Sequence, residues 1–261
     1  MTKNKDYTLH TLKLGKFEFN SRFILGSGKF NLELIEAAIK QANAEIITLA
    51  LRRAYTGKLE NILDYIPKNI TILPNTSGAR TAEEALKIAK LARELCGAEM
   101  IKIEVIRDSK YLLPDNYEST KAVELLAKEG FTPLPYMYPD LYTARAMRDA
   151  GAAAIMPLGA PIGTNKGLKT KDFIQILLDE IDLPIIVDAG LGSPAQACEA
   201  MQMGVSAVMI NTAIAMSSNI PQMARAFRLA IEAGREGFLA GIAQQSELAR
   251  ASSPLTGFLK D

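Results

Sequence analysis

The sequence predicts an α/β fold, namely a (β/α)8 TIM barrel with an N-terminal β-hairpin. Short apolar runs alternate along the chain with longer amphipathic runs, and strands that alternate with helices pair in parallel. Eight such strands can be counted, and 261 residues is an ordinary length for one barrel domain, here 1–261. A doubly wound open sheet is the alternative. The barrel is favoured because no strand carries a Gly-x-Gly-x-x-Gly dinucleotide fingerprint.

The first predicted elements are the hairpin and the barrel strands. Residues 8–20 alternate in polarity around a glycine turn, which predicts a hairpin that closes the bottom of the barrel. The eight strands are predicted at 22–26, 45–50, 69–74, 99–105, 131–135, 152–157, 184–189 and 206–211.

Helices are predicted between the strands. The segment 31–41 places its apolar residues on one stripe. The segment 81–97 opens on a threonine cap and ends at a glycine. The segment 193–204 has serine at the cap, proline at the first helical position and glycine at the stop. Residues 249–261 are expected to form a C-terminal tail.

Composition excludes several classes of function. The net charge is +1, so there is no bulk electrostatic case for nucleic acid or an anionic membrane. The polar start lacks the apolar core of a signal peptide, and no apolar run is long enough to span a membrane, so we expect a cytoplasmic protein. One histidine, His10, and two distant cysteines, Cys96 and Cys198, favour neither a metal site nor a disulfide. We therefore expect no metal and no cofactor.

The fourth predicted strand carries two charges on one face. In "AEMIKIEVI", residues 98–106, Lys102 and Glu104 are two apart and so point the same way. Because active sites of barrels lie at the carboxyl ends of the strands, both should enter the barrel mouth, with Asp188 facing them from the seventh strand. A partly desolvated lysine can act as a nucleophile toward a carbonyl, and the carboxylates can move protons. A structural ion pair is the alternative, although an unused buried pair is a poor route to stability.

The loops after the sixth, seventh and eighth strands predict a phosphate site. They read "MPLGAPIGTNKG", "VDAGLGS" and "INTAIAMSS" and supply Gly163, Gly190 with Gly192, and Asn211 with Thr212. Glycines let the backbone approach a ligand, and free N–H groups at a helix start suit a phosphate. Each glycine alone is equally compatible with a plain turn.

Two further segments leave their roles open. "GSGKF" after the first strand has the wrong spacing for a P-loop, and either a tight turn or a ligand contact fits it. Arg52 and Arg53 in "LRR" could meet an anionic substrate or a subunit interface. We expect a homo-oligomer, a tetramer.

Taken in order along residues 12–257, a set of motifs resembles the thiazole synthase family of thiamine biosynthesis. They are "LGSGKF", "ALRR", "LPNTSGARTAEEA", "IKIEVI", "LLPD", "MPLGAPIG", "IVDAGLGSP", "NTAIA" and "ASSPLTG". The resemblance implies an enzyme that builds the thiazole phosphate through a lysine Schiff base. It also implies three substrates: the sugar phosphate 1-deoxy-D-xylulose 5-phosphate, a glycine-derived imine (dehydroglycine) and a thiocarboxylated, ubiquitin-like sulfur carrier protein. A separate enzyme would generate the imine, by oxidase or radical tyrosine lyase chemistry.

The resemblance also implies residue roles. The Schiff-base lysine falls on Lys102, and the acid/base carboxylates fall on Glu104 and Asp188. The sugar-phosphate contacts fall on Gly163, Ala189, Gly190, Asn211 and Thr212. The loop 136–142 departs from the family pattern, and Asp140 is expected to keep part of its role.

Two other functions use the same residues. A Schiff-base aldolase would employ Lys102 on a sugar phosphate without any carrier protein. A non-catalytic phosphate-binding subunit would keep Lys102 and Glu104 only as an ion pair.

Overall fold

A closed barrel of parallel strands organises the part of the chain that the computed structural model describes, residues 11–27, 31–50, 63 and 65–249. The strands are β1 (Leu12–Leu14), β2 (Phe17–Phe19), β3 (Phe23–Leu25), β4 (Ile46–Ala50), β5 (Thr71–Asn75), β6 (Met100–Ile103), β7 (Thr132–Met137), β8 (Met156–Pro157), β9 (Ile186–Val187) and β10 (Ala207–Ile210). Strands β3 to β10 form one parallel sheet in the order β8-β7-β6-β5-β4-β3-β10-β9. The TIM-barrel prediction is confirmed.

The seam between β8 and β9 closes the barrel with a few backbone hydrogen bonds. Ile155 bridges Ile185 in parallel, and the Asp188 N–H donates to the Pro157 carbonyl over 3.1 Å. This last bond fixes the backbone of Asp188 just past the carboxyl end of β9.

The predicted hairpin is also confirmed. Strands β1 and β2 pair antiparallel around Gly15, whose φ of +59° suits glycine. Leu12, Leu14 and Phe19 are buried in a cluster with inward-facing residues of the barrel strands, among them Met100. The hairpin therefore closes the amino-terminal end of the barrel, opposite the predicted site.

Helices surround the barrel and share a second, larger core with the outer faces of its strands. They are α1 (Leu32–Ala42), α2 (Ala82–Cys96), α3 (Asn116–Lys128), α4 (Leu141–Asp149), α5 (Lys171–Glu180), α6 (Pro194–Met203), α7 (Thr212–Ala215) and α8 (Ile220–Ala240). The three predicted helices are α1, α2 and α6. Their caps are as the sequence indicates: Thr81 accepts a hydrogen bond from the Glu84 N–H, and Ser193 forms a capping box with Gln196.

Several predictions fall outside the described residues. They concern His10, Lys29 in "GSGKF", Arg52 with Arg53, and the C-terminal tail from 250 onward. Within the described ranges, no helix combines the length and the apolar character needed to cross a membrane. The single-domain organisation over 1–261 stays a prediction.

Candidate active site

Lys102 lies inside the barrel because of the period of β6. Its neighbours Ile101 and Ile103 are fully buried against the helices, so the side chain between them points to the barrel interior. Thr76, just past β5, fixes the backbone of Glu104, two residues after Lys102. The Thr76 hydroxyl donates to the Glu104 carbonyl over 3.0 Å and accepts from the Glu104 N–H over 2.8 Å.

Two carboxylates hold the Lys102 ammonium. Its Nζ lies 2.6 Å from Glu104 Oε1 and 2.9 Å from Asp188 Oδ2. The exposed fractions of the three residues are 4% for Lys102, 7% for Glu104 and 8% for Asp188. The Asp188 contact is a buried ion pair, and Oδ2 has no other partner among the described residues. The predicted convergence of these three side chains is therefore present.

The charge balance differs from that of an isolated buried lysine. Burial by itself lowers the pKa of Lys102, but the charges of Asp188 and Glu104 outweigh it and raise that pKa above its usual value. Burial raises the pKa of Asp188, and the charge of Lys102 opposes this only in part. These shifts favour the charged ammonium of Lys102, so its proton must pass to a neighbouring carboxylate before the amine can attack a carbonyl.

Tyr136 on β7 lies beside this centre. Lys102 Nζ is 5.5 Å from the centroid of its ring, within range of a cation–π contact. The hydroxyl is fully buried and finds no partner in the described part of the chain. Burial, followed by the charges of Asp188 and Glu104, raises the pKa of Tyr136, so the phenol stays neutral.

A cavity of about 600 Å³ opens above the lysine at the carboxyl end of the barrel. Five of the predicted phosphate residues line it, namely Gly163, Ala189, Gly190, Asn211 and Thr212. Gly192 does not line it, and its N–H donates to Gln196 Oε1 over 2.7 Å. Gly163 and Gly190 have φ of +76° and +94°, conformations that favour glycine. Thr212 begins the short helix α7, and Asn211 precedes it with a side chain that makes no capping bond.

The loops after β8 and β9 are joined to each other. The Ala189 carbonyl accepts hydrogen bonds from the N–H groups of Gly159 and Ala160, over 2.9 and 3.2 Å. The Gly190 carbonyl accepts from the Gly167 N–H over 2.7 Å. A Cβ on Gly190 would lie 2.4 Å from the backbone nitrogen of Ala160, so this approach requires glycine. The cradle formed by these two loops is consistent with an anion site.

The opposite wall of the cavity was not predicted from the sequence. It is formed by the ends of β3, β4 and β5 and carries buried polar side chains, those of Ser27, Thr48 and Asn75. Ser27 and Thr48 bind one another: the Ser27 N–H donates to Thr48 Oγ1 over 2.9 Å, and the Ser27 hydroxyl donates to the Thr48 carbonyl. The signal available in the sequence was one polar residue in or just after each of these three strands, which are adjacent in the sheet.

In the loop 136–142, Asp140 precedes α4 and caps it, and its expected share of the family role stays a prediction. The Asp140 carboxylate caps α4 by accepting from the N–H and the hydroxyl of Thr143, each over 2.7 Å. These bonds lower the pKa of Asp140. Asp140 is not among the residues that line the cavity.

Over the described residues no cluster of histidine, cysteine, aspartate and glutamate could hold a metal ion.

The fold places the chain among (β/α)8-barrel proteins. The 3-hexulose-6-phosphate synthase of Salmonella typhimurium superposes with a TM-score of 0.56 at 15% identity, over 81% of this chain and 98% of that one. At that identity the likeness shows the fold alone.

Sequence similarity is far more specific. The family model described as "Thiazole biosynthesis protein ThiG" matches residues 13–254. The thiazole synthase of Campylobacter jejuni (strain RM1221) is 77% identical over 250 residues, which cover 96% of each chain. A solved BexX/CysO complex from Amycolatopsis orientalis matches with a TM-score of 0.80 and 31% identity, over 92% of this chain and 98% of that one. The chain belongs to the thiazole synthase family, the sulfur-transferring enzymes that form the thiazole of thiamine.

Proposed function

We propose that this barrel forms thiazole phosphate through an imine between Lys102 and the ketone of 1-deoxy-D-xylulose 5-phosphate. The observation that carries the proposal is the position of Lys102 Nζ, 2.6 and 2.9 Å from two buried carboxylates, in the cavity lined by the glycine loops. A phosphate seated on those loops would leave the sugar chain extending toward the lysine.

The charges of the centre require that the first step begin with a proton transfer. On binding, the Lys102 ammonium gives a proton to Asp188 or Glu104, and the neutral amine attacks the ketone carbon. The C–N bond forms as the carbonyl electron pair moves to oxygen. The carboxylic acid then returns its proton to that oxygen, which gives a hydroxyl. The freed carboxylate takes a second proton from the attached nitrogen and passes it to the hydroxyl, which leaves as water to give the protonated imine.

The same carboxylates serve the later steps. Asp188 and Glu104 both contact Nζ and can shuttle the protons that move the carbonyl along the sugar chain. Sulfur then enters from the thiocarboxylate of a ubiquitin-like carrier protein, and condensation with dehydroglycine closes the ring. Crystallisation of the related BexX as a complex with CysO supports a protein partner for this kind of barrel. An imine-generating enzyme, a homotetramer and a cytoplasmic location stay predictions.

Borohydride trapping tests the proposal. The protein is incubated with 1-deoxy-D-xylulose 5-phosphate, reduced, digested and examined by peptide mass spectrometry. We expect a stable adduct on Lys102 and none in Lys102→Ala, with Lys40→Ala as a lysine control outside the cavity. Bound substrate without a Lys102 adduct would refute the imine. Turnover of the sugar phosphate alone, without carrier protein, would favour an aldolase.

A further inference from the structure

One amide in the cavity wall has a donor that the protein does not use. Asn75, the last residue of β5, is 7% exposed and is the register partner of Lys102 on the neighbouring parallel strand. Register partners on adjacent strands point to the same face of the sheet, and both residues line the cavity. The Asn75 amide therefore lies in the barrel mouth next to the proposed nucleophile.

The orientation of this amide is set by the turn that follows β5. Asn75 Oδ1 accepts a hydrogen bond from the Ser77 N–H over 3.2 Å, the contact of an Asx turn. Since the oxygen is engaged there, the NH2 group is the end left for the cavity. Within the described residues, Nδ2 donates to no acceptor. It is also not one of the fully buried polar atoms that lack a partner, so it is accessible from the cavity.

Most other polar side chains near Lys102 offer no fixed donor to a developing oxyanion. The unpartnered hydroxyl of Tyr136 is an exception, but Tyr136 does not line the cavity. Ionised Glu104 and Asp188 only accept. On the same wall, the Thr48 hydroxyl donates to the Leu25 carbonyl over 3.2 Å, and the Ser27 hydroxyl is also occupied. When an amine attacks a ketone, the carbonyl oxygen gains negative charge, and a fixed donor at that oxygen accelerates the step.

We propose that the Asn75 NH2 group donates a hydrogen bond to the oxygen of the carbonyl that Lys102 attacks. This inference rests on the proposed Schiff-base function and adds a catalytic residue to it. The donor stabilises the tetrahedral carbinolamine oxygen until a carboxylic acid protonates it and water leaves. Asn75 thus acts on imine formation, while the glycine loops hold the phosphate.

Two substitutions isolate the donor from the turn. In Asn75→Ser, the serine Oγ can still accept from the Ser77 N–H, but no amide donor reaches the substrate oxygen. In Asn75→Asp, shape and acceptor are both kept, and the donor is replaced by a carboxylate oxygen. Ser77→Ala is the first control, because it removes a hydroxyl from the same wall and keeps the backbone N–H. Asn219→Ser is the second control, because it makes the same change at the N-cap of α8, a position where serine is also a good capping residue.

The measurement is the time course of borohydride-trapped adduct on Lys102 over a range of sugar-phosphate concentrations. We expect the saturated rate to fall about 10²-fold in Asn75→Ser and further in Asn75→Asp, as for removal of an oxyanion donor. The half-saturating concentration should change less than about threefold, because the phosphate contacts remain. Asn219→Ser and Ser77→Ala should trap at the wild-type rate.

The outcomes separate this inference from the function on which it rests. Absence of a Lys102 adduct in the wild type overturns the proposed function. A wild-type adduct that forms at the same rate in Asn75→Ser overturns only the assignment of Asn75. If the rate of adduct formation falls in Ser77→Ala and not in Asn75→Ser, the donor is Ser77, and the assignment of Asn75 is again overturned. If Asn75→Ser does not fold, Asn75→Asp decides, measured over a pH range because its added charge also acts on Lys102.

Discussion

Replacing Lys102 with methionine tests how strongly the buried charges depend on each other. The change shortens the unbranched side chain by one atom and removes its charge. Glu104 and Asp188 would then face each other across the barrel without the cation that lies 2.6 and 2.9 Å from them.

The expected loss of stability is large. At an effective dielectric constant of about 20, each of the two contacts corresponds to roughly 6 kcal/mol of attraction. Desolvation of the three groups, 4 to 8% exposed, cancels most of this attraction in the intact centre. Removal of one partner leaves the desolvation uncompensated, and such changes lower the free energy of unfolding by about 3–5 kcal/mol.

The loss should depend on pH in a defined direction. Burial already raises the pKa of Asp188, and the variant lacks the lysine charge that opposes this rise. A carboxyl group whose pKa is higher in the folded than in the unfolded state stabilises the fold below the unfolded pKa of about 4. That stabilisation is lost as the pH rises through the folded pKa. The deficit of Lys102→Met should therefore be larger at pH 8 than at pH 5.

Denaturant unfolding at pH 5 and pH 8 measures this difference. Lys40→Met is the control, because Lys40 pairs with Glu36 on the exposed face of α1 and should matter by no more than about 0.5 kcal/mol. Adding Asp188→Asn to Lys102→Met should recover part of the loss. Wild-type stability of Lys102→Met would refute the dependence of Glu104 and Asp188 on the lysine charge. A loss of unfolding free energy that grows on acidification would refute it as well.

Three other substitutions test the surroundings of the site by denaturant unfolding. Tyr136→Phe should raise the free energy of unfolding by about 1 kcal/mol, because it removes a buried hydroxyl without a partner in the described chain. Gly190→Ala should lower it by about 2–4 kcal/mol, because φ is +94° and the new Cβ would meet backbone at 2.4 Å. Thr76→Val should lower it by about 1–3 kcal/mol and slow adduct formation on Lys102, because two hydrogen bonds to the backbone of Glu104 are lost.

Each of these results has a contrary outcome. Destabilisation by Tyr136→Phe would show that the hydroxyl is hydrogen-bonded in solution. Gly97, at φ +66° with no neighbour within 4 Å of a new Cβ, is the control for Gly190, and its change to alanine should cost about 1 kcal/mol. Equal losses at the two glycines would remove the argument from close approach. Wild-type stability of Thr76→Val would show that Glu104 is held by other contacts.

Much of the fold follows from local pattern. The alternation of apolar and amphipathic runs locates every barrel strand to within a few residues. The main differences are the sixth and seventh barrel strands, β8 and β9, where only two residues each have a regular ladder. Ile155 and Ile185 still bridge across the seam, so the apolar pattern locates both strands. The pattern does not show that their pairing is irregular.

The site was predictable in part. The spacing of Lys102 and Glu104 places them on one face of β6, which requires only the period of a strand. The raised pKa of Lys102 was not predictable, because it depends on the distance to Asp188 from another strand as much as on burial. Asn75 was missed because its sequence, "LPNTSG", has the composition of a turn, and the free end of its amide is set by a three-dimensional contact.

The hydrogen bonds between the loops after β8 and β9 have a consequence for ligand binding. Because the carbonyls of Ala189 and Gly190 are already engaged by N–H groups of the other loop, the cradle is ordered when the chain folds. A phosphate would then bind with little loss of conformational entropy in these loops, and its affinity would report mainly its own contacts. Phosphate binding should accordingly show a small heat-capacity change, because these loops would bury little further apolar surface on binding.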